Sequence, residues 1–186
     1  MPSMPRSSEK RPRPKVASRR LAVDPPLPVR TPSFKGLRPA SEASSRSMRR
    51  NRSKNTEPER LLRRELRSRG LRYRTHAPEL PGRPDLVFSA HHTVVFCDGD
   101  FWHGRNWRRL KQQLERRFNA TYWIAKIARN RRRDRSQVIA LRRRGWRVLR
   151  YWETDIRRSP QAVADQLQET LASYMTEALR PEEFTR

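Results

Sequence analysis

Asp85, Asp98, Asp100 and His103 fall within twenty residues of one another, in the run PGRPDLVFSAHHTVVFCDGDFWHG from residue 81 to 104. Asp85 opens a short apolar run, and a second apolar run from Thr93 to Phe96 delivers Asp98, Asp100 and His103 beside Phe101 and Trp102. Two apolar runs separated by a polar turn read as a hairpin, Leu86 to Phe88 and Thr93 to Cys97 around Ser89 to His92. With Ala90 and His91 at the tip of the turn, Asp85 lies across from Phe96, and alternation puts Asp98 on the same face. Carboxylates so paired could share Mg²⁺, a hard cation that takes oxygen ligands, neutralises a phosphate and lowers the pKa of water. A turn one residue longer would send Asp98 to the opposite face and leave its backbone carbonyl, or Asp100, to serve. The competing reading is that Asp85 and Asp98 only end strands and pair with arginines. His103, just beyond the carboxylates, is a candidate proton-transfer group. Glu59 is either a helix cap or a residue that orients metal or water.

The bulk of the chain says what such a site would face. Lys and Arg number 44 against 19 Asp and Glu, for a net charge of +25 over 186 residues. That excess favours polyanions, and Arg grips phosphate bidentately. No apolar stretch approaches the ~20 residues that span a bilayer, and the N-terminus lacks the apolar core of a secretion signal. The single cysteine, Cys97, rules out an internal disulfide and any multi-cysteine zinc site. A soluble cytoplasmic protein is expected, acting as a monomer on nucleic acid and without a membrane partner.

Other elements must hold the hairpin. Residues 1–45 are rich in Pro, Ser, Arg and Lys without periodicity, and read as a disordered basic arm. Residues 46–178 form the folded domain and 179–186 a tail. Thr56 and Glu59 have the form of a capping box, Leu61, Leu62 and Leu66 recur at helical spacing, and Gly70 ends that helix. Leu71 to His76 alternates as a strand. Helices are expected over Trp107 to Phe118 and Thr121 to Arg144, the second with Ile124, Ile127, Val138 and Leu141 on its apolar side. Trp146 to Trp152 reads as a further strand with both tryptophans in the core. Pro160 opens a final helix striped by Val163, Leu167, Leu171 and Tyr174. This order predicts an α/β fold, a mixed central sheet flanked by helices.

Phe101 and Trp102 are adjacent and cannot both be buried on one side, which suits aromatic wedges that push between stacked bases. Trp123 either joins them or packs in the core. Lys126, Asn130 and Arg133 share one side of the long helix, for phosphate contacts, groove readout or plain solvation.

From about Ser47 to Ile156 the chain resembles the very short patch repair endonucleases, the mismatch-nicking branch of the restriction-endonuclease-like fold. Five ordered blocks carry the resemblance: SMRRNRSKNTEPERLLR, LPGRPDLVF, VVFCDGDFWHG, YWIAKIARNRRRDR and GWRVLRYWE. It implies a bacterial, nucleoid-associated, Mg²⁺-dependent DNA endonuclease that nicks one strand at a T:G mismatch, with mismatch-repair proteins as candidate partners. By position it implies Asp85 as principal metal ligand, a backbone carbonyl ligand from Cys97, and assistance from Glu59 and His103. It also makes Phe101, Trp102 and Trp123 the intercalating wedge. The chain departs from the pattern in three places. Asp98 stands where the repair members carry histidine. Asp100, Arg105, Trp107 and Thr154 replace the ligands of a structural zinc, so none is expected. The basic N-terminal arm has no counterpart. The alternatives are a same-fold endonuclease with another target, of restriction or mobile-element type, and a non-catalytic basic nucleic-acid-binding protein.

Overall fold

The computed structural model describes residues 32–38, 42, 46, 54–75 and 77–178, with side chains through residue 173. Most of the expected arm, the 179–186 tail, His76 and the side chain of Tyr174 therefore lie outside the described residues.

The first helix, α1 (Glu57–Ser68), starts where the capping box places it. Thr56 Oγ1 accepts from the Glu59 N–H, while the Glu59 carboxylate accepts from the backbone of Asn55 at 3.0 Å and Thr56 at 3.3 Å. Donors that a helix end leaves without partners are thereby satisfied. Gly70, at φ +70, ends it, and Leu71 N–H reaches back to the Leu66 carbonyl at 3.0 Å. The next strand is shorter than expected: β1 (Arg74–Thr75) pairs over two residues only. Leu71 and Tyr73 instead turn their side chains against the core.

β2 (Leu86–Phe88) and β3 (Thr93–Asp98) form the hairpin, joined through a single 3₁₀ turn at Ser89–His91. Leu86 pairs with Val95, Val87 with Val94 and Phe88 with Thr93. That register continues to Asp85 opposite Phe96, as the shorter-turn reading requires. After β3 come α2 (Asp100–His103), α3 (Trp107–Glu115) and the long α4 (Ala120–Arg142). β4 (Arg147–Trp152), α5 (Glu153–Arg158) and α6 (Pro160–Ala178) complete the order.

The sheet runs β1-β2-β3-β4, antiparallel except for the parallel β3–β4 pair. Both faces of its hairpin are covered, so β2 and β3 read as apolar runs without alternation. On one face Leu86, Phe88 and Val95 pack with Leu62 and Leu66 of α1 and Val163, Leu167 and Leu171 of α6. On the other, Val87, Val94 and Phe96 pack with Leu141 of α4, Ala77 and Leu80. β4 is half-buried along its whole length because it is the sheet edge. Trp146, half-buried, does pack against the second core cluster, whereas Trp152, half-buried at the end of β4, belongs to neither cluster. Along α4, Ile127 and Leu141 are fully buried while Ile139, one position from the expected stripe, is 52% exposed.

Candidate active site

Asp85 is delivered by a turn the chain could hardly make otherwise. Gly82 (φ +79) and Arg83 (φ +52) both adopt the left-handed region, and a Cβ at Gly82 would lie 2.8 Å from Gln137 Oε1 and 3.2 Å from Phe96 Cζ. Pro84 follows, and Asp85 N–H then joins the sheet at the Val95 carbonyl (3.0 Å). The Asp85 carboxylate accepts the Cys97 backbone N–H at 2.8 Å. No cation pairs with it among the described residues. Burial, opposed by that hydrogen bond and reinforced by the negative charges of Glu59 and Asp98, pushes its pKa up to about 7.

Asp98, 3% exposed, is held differently. Arg150 grips both its oxygens, Nε to Oδ2 at 2.6 Å and Nη2 to Oδ1 at 2.7 Å. Parallel pairing accounts for this: Arg150 lies beside Phe96, stacks over its ring at 5.0 Å, and reaches forward along the face to Asp98. The reading that Asp98 pairs with an arginine thus describes this residue and fails for Asp85.

His103 ends α2, and Nδ1 lies 2.7 Å from Asp134 Oδ2 and 3.6 Å from Asp98 Oδ1. An ionised carboxylate can only accept, so Nδ1 donates to Asp134 and the acceptor lone pair falls on Nε2. Burial alone would raise the Asp134 pKa. The hydrogen bond from His103 and the charges of His103, Arg150 and Arg133 outweigh it and bring the net shift below the ordinary value. Neither Asp134 nor Arg150 stood out in sequence. The signal for Asp134 was available: Lys126, Asn130 and Asp134 repeat every four residues, so extending the polar stripe one turn finds it.

Asp85, Asp98 and His103 line a cleft of ≈ 990 Å³ at the end of the β2–β3 hairpin, with Asp134 and Arg150 behind them. Glu59 and Asp85 face it together with Asp98, His103, Phe101 and Trp102. Arg60, Arg83, Lys126 and Arg133 give its walls positive charge, and Arg157 on the wall is paired with Glu57 and Glu153. Lys126, Asn130 and Arg133 therefore lie on the cleft, where Asn130 Nδ2 also donates to the Trp102 carbonyl at 3.0 Å and ties α2 to α4. Glu59 combines the cap with a place on the cleft. Trp123 sits against Phe101 (centroids 5.6 Å apart) and Trp102 (6.0 Å), so it joins the aromatic cluster and not the sheet core. Cys97 lines the cleft and packs against the α1–α6 core, where burial first and the Asp85 charge second raise its thiol pKa well above normal.

Where zinc ligands would stand there is an ionic network. Arg105 pairs with Asp100 (3.4 Å) and Asp155 (2.8 Å), Thr154 donates to Asp100, and the Arg105 guanidinium lies 5.7 Å from the centre of the Trp152 ring. Trp107 packs under Arg131 at 5.3 Å. The network ties α2 to α5.

The residues fit a divalent cation. Asp85 is a buried carboxylate beside like charges with one hydrogen-bond donor, a position that an added positive charge would relieve. No three His, Cys, Asp or Glu side chains converge on one point among the described residues. A cation such as Mg²⁺ is commonly held by one or two carboxylates, with backbone, water and substrate phosphate oxygens completing its shell.

A mixed sheet that carries an unpaired carboxylate into a cleft with basic walls, with a carboxylate-held histidine beside it, suits cleavage of a phosphodiester. The family model for DNA mismatch endonuclease Vsr matches residues 40–109. The chain is 37% identical over 130 residues to a type II nicking enzyme, V.NmeDIP, of Neisseria meningitidis, covering 70% of this chain and 86% of that one. It is 34% identical over 131 residues to the DNA mismatch endonuclease Vsr of Escherichia coli, covering 70% and 82%. With V.XorIIP of Xanthomonas oryzae, another type II nicking enzyme, identity is 44% over 105 residues, 56% and 75% of the two chains. The chain belongs to the Vsr DNA mismatch endonuclease family, with the restriction-endonuclease-like fold.

Proposed function

We propose that this endonuclease nicks one strand of duplex DNA beside a T:G mismatch, with Mg²⁺ at Asp85 and the Cys97 backbone carbonyl. The observation that carries the reading is the Asp85 carboxylate, buried without a counter-charge in a cleft whose walls are basic. A divalent cation, when bound, supplies positive charge at the scissile phosphate and makes water acidic enough to react at neutral pH.

The chain's own residues do the rest. His103, its Nδ1 fixed by Asp134, exchanges a proton at Nε2 with the attacking water or the leaving oxygen. Glu59, both of whose oxygens accept hydrogen bonds of the cap, orients water through a remaining lone pair. Asp98 holds the Arg150 guanidinium against the site and so places a fixed cation beside His103, at 3.3 Å from Nδ1. This pair occupies the position of the family's histidine, and Asp98 acts on the metal only indirectly through its charge. Phe101, Trp102 and Trp123 form the wedge at a disturbed base step, while Lys126, Asn130 and Arg133 hold the backbone. The nuclease domain acts as a monomer on duplex DNA in the bacterial cytoplasm, in concert with mismatch-repair proteins.

Two measurements test this. Cleavage assayed on T:G, other mismatches and intact duplex should be fastest on T:G. Preference for fully paired DNA would assign the protein instead to restriction-type chemistry on the same fold. Asp85→Ala, assayed with and without Mg²⁺, should lose cleavage and keep binding; unchanged activity would mean a binding protein on a nuclease frame.

A further inference from the structure

The aromatic cluster does not end at Trp123. Phe34 packs edge-on to Tyr122 (centroids 5.0 Å apart) and leans on Trp123 (6.3 Å). Phe34 is the one aromatic residue of the first 45, so the basic arm has a single anchor of this kind. The chain turns back at Lys35 and Gly36, with Leu37 N–H bonded to the Phe34 carbonyl at 3.0 Å. Asn119 Nδ2, at the head of α4, then fastens the Arg38 carbonyl at 2.8 Å. Residues 32–38 are thus latched to the first turn of α4 by aromatic contacts and to Asn119, the last residue of the 116–119 loop, by a hydrogen bond.

The joint surface has the character of a nucleic-acid grip. Three large hydrophobic side chains are conspicuously exposed among the described residues, and two of them lie on these two segments, Leu37 (37%) and Phe118 (58%). The same segments carry Lys35, Arg38, Arg116 and Arg117, all exposed, and neither contains an acidic residue. Basic side chains around protruding apolar ones suit phosphate oxygens and sugar faces of a duplex, and repel a basic or purely apolar partner. The surface is also continuous, through Trp123, with the rings that line the cleft.

We propose that the 32–38 turn and the 116–119 loop form a second DNA-contact surface, built on Phe34, that holds the duplex backbone on the flank of the cleft. The proposal rests on the nuclease reading of that cleft. Phe34 is a positioning residue: it seats Lys35 and Arg38 and buttresses Tyr122 and Trp123 without touching the reacting phosphate.

Binding is measured by titrating the full-length chain carrying Asp85→Asn with a labelled T:G duplex over a range of salt. Loss of cleavage by that background variant reports on the active site separately, so either reading can fail alone. Lys35→Ser/Arg116→Ser/Arg117→Ser should weaken binding about tenfold or more and flatten the log–log salt slope by about 2–3, since each lost phosphate contact removes about 0.9. The control Arg142→Ser/Arg143→Ser/Arg144→Ser removes equal charge at the other end of α4, and its slope should change by less than about 1. Phe34→Ala should weaken binding several-fold and Phe34→Trp restore it. Because the triple variant alters only exposed side chains, it decides the matter even if Phe34→Ala misfolds. Equal slopes for the two triples would overturn the proposal, as would tighter binding by Phe34→Ala, which would make the turn a cover that DNA displaces.

Discussion

Asp85 is the residue on which chemistry and stability conflict. A carboxyl whose pKa is raised on folding binds its proton more tightly in the folded state. Its contribution to stability is therefore fully present below about pH 4 and lost as pH rises through about 7. Asp85→Asn removes that penalty. In chelator the variant should be more stable than the parent at pH 8 by about 1–3 kcal/mol, with the difference vanishing near pH 4. Thermal melts across pH read this directly, and pH-independent curves would mean the carboxylate is not desolvated. Addition of Mg²⁺ should raise the melting temperature of the parent and leave the variant unmoved. At His103 the expectation is kinetic. Asp134→Asn leaves Nδ1 without its anionic acceptor, so the single-turnover rate should drop by about 10²-fold while DNA affinity holds. A fall in affinity with an unchanged rate would make Asp134 a structural residue only.

At the scale of elements, the parallel β3–β4 pair does more than complete the sheet. It brings Arg150 beside Phe96 and so to Asp98, a contact across 52 residues of chain. Arg150→Ala leaves a carboxylate buried to 3% exposure without its partner, and should destabilise the fold by about 3–5 kcal/mol. Asp98→Leu/Arg150→Met, which removes both charges, should recover most of that in urea denaturation. Failure to recover would mean that the pair also sets the local packing of β4. Here sequence reading succeeds and fails for identifiable reasons. The α1 cap and its glycine stop are local, three or four residues wide, and the structure has them where the residues place them. The hairpin register was open to two readings, and packing of Val94 and Phe96 on one face and Val95 on the other selects the one that sets Asp85 opposite Phe96. Trp146 and Trp152 were read as core from alternation; Trp146 packs on the second cluster, but the rank of β4 at the sheet edge leaves Trp152 half-buried and outside both clusters.

Across the whole molecule, charge governs association. With +25 net and the basic side chains of α1, α4 and the 80s turn converging on one cleft, binding to any duplex should fall steeply with salt. Mismatch preference should survive in proportion, because a wedge and base contacts are not carried by counterion release. Competition between matched and mismatched duplexes at two salt concentrations checks this; a preference that collapses with salt would mean discrimination is electrostatic. The helices bear on the same surface. α4 carries Lys126, Asn130 and Arg133 to the cleft, Asp134 to His103 and, at its head, the Asn119 latch on the N-terminal turn.

The sequence alone determined what depends on neighbours along the chain: an α/β order of elements, the capping box, the hairpin, the adjacent aromatic pair and a polyanion-seeking charge. Its short blocks also carried the family, because a strand that must present a carboxylate at its end leaves a compact signature. Only the tertiary structure decided which carboxylate is free and which is clasped, that Asp134 stands behind His103, and that Phe34 reaches Tyr122. Those are contacts between segments from 31 to 88 residues apart. They are set by the register of β4 on β3 and by the line of α4 across the sheet, and no local periodicity encodes such distances.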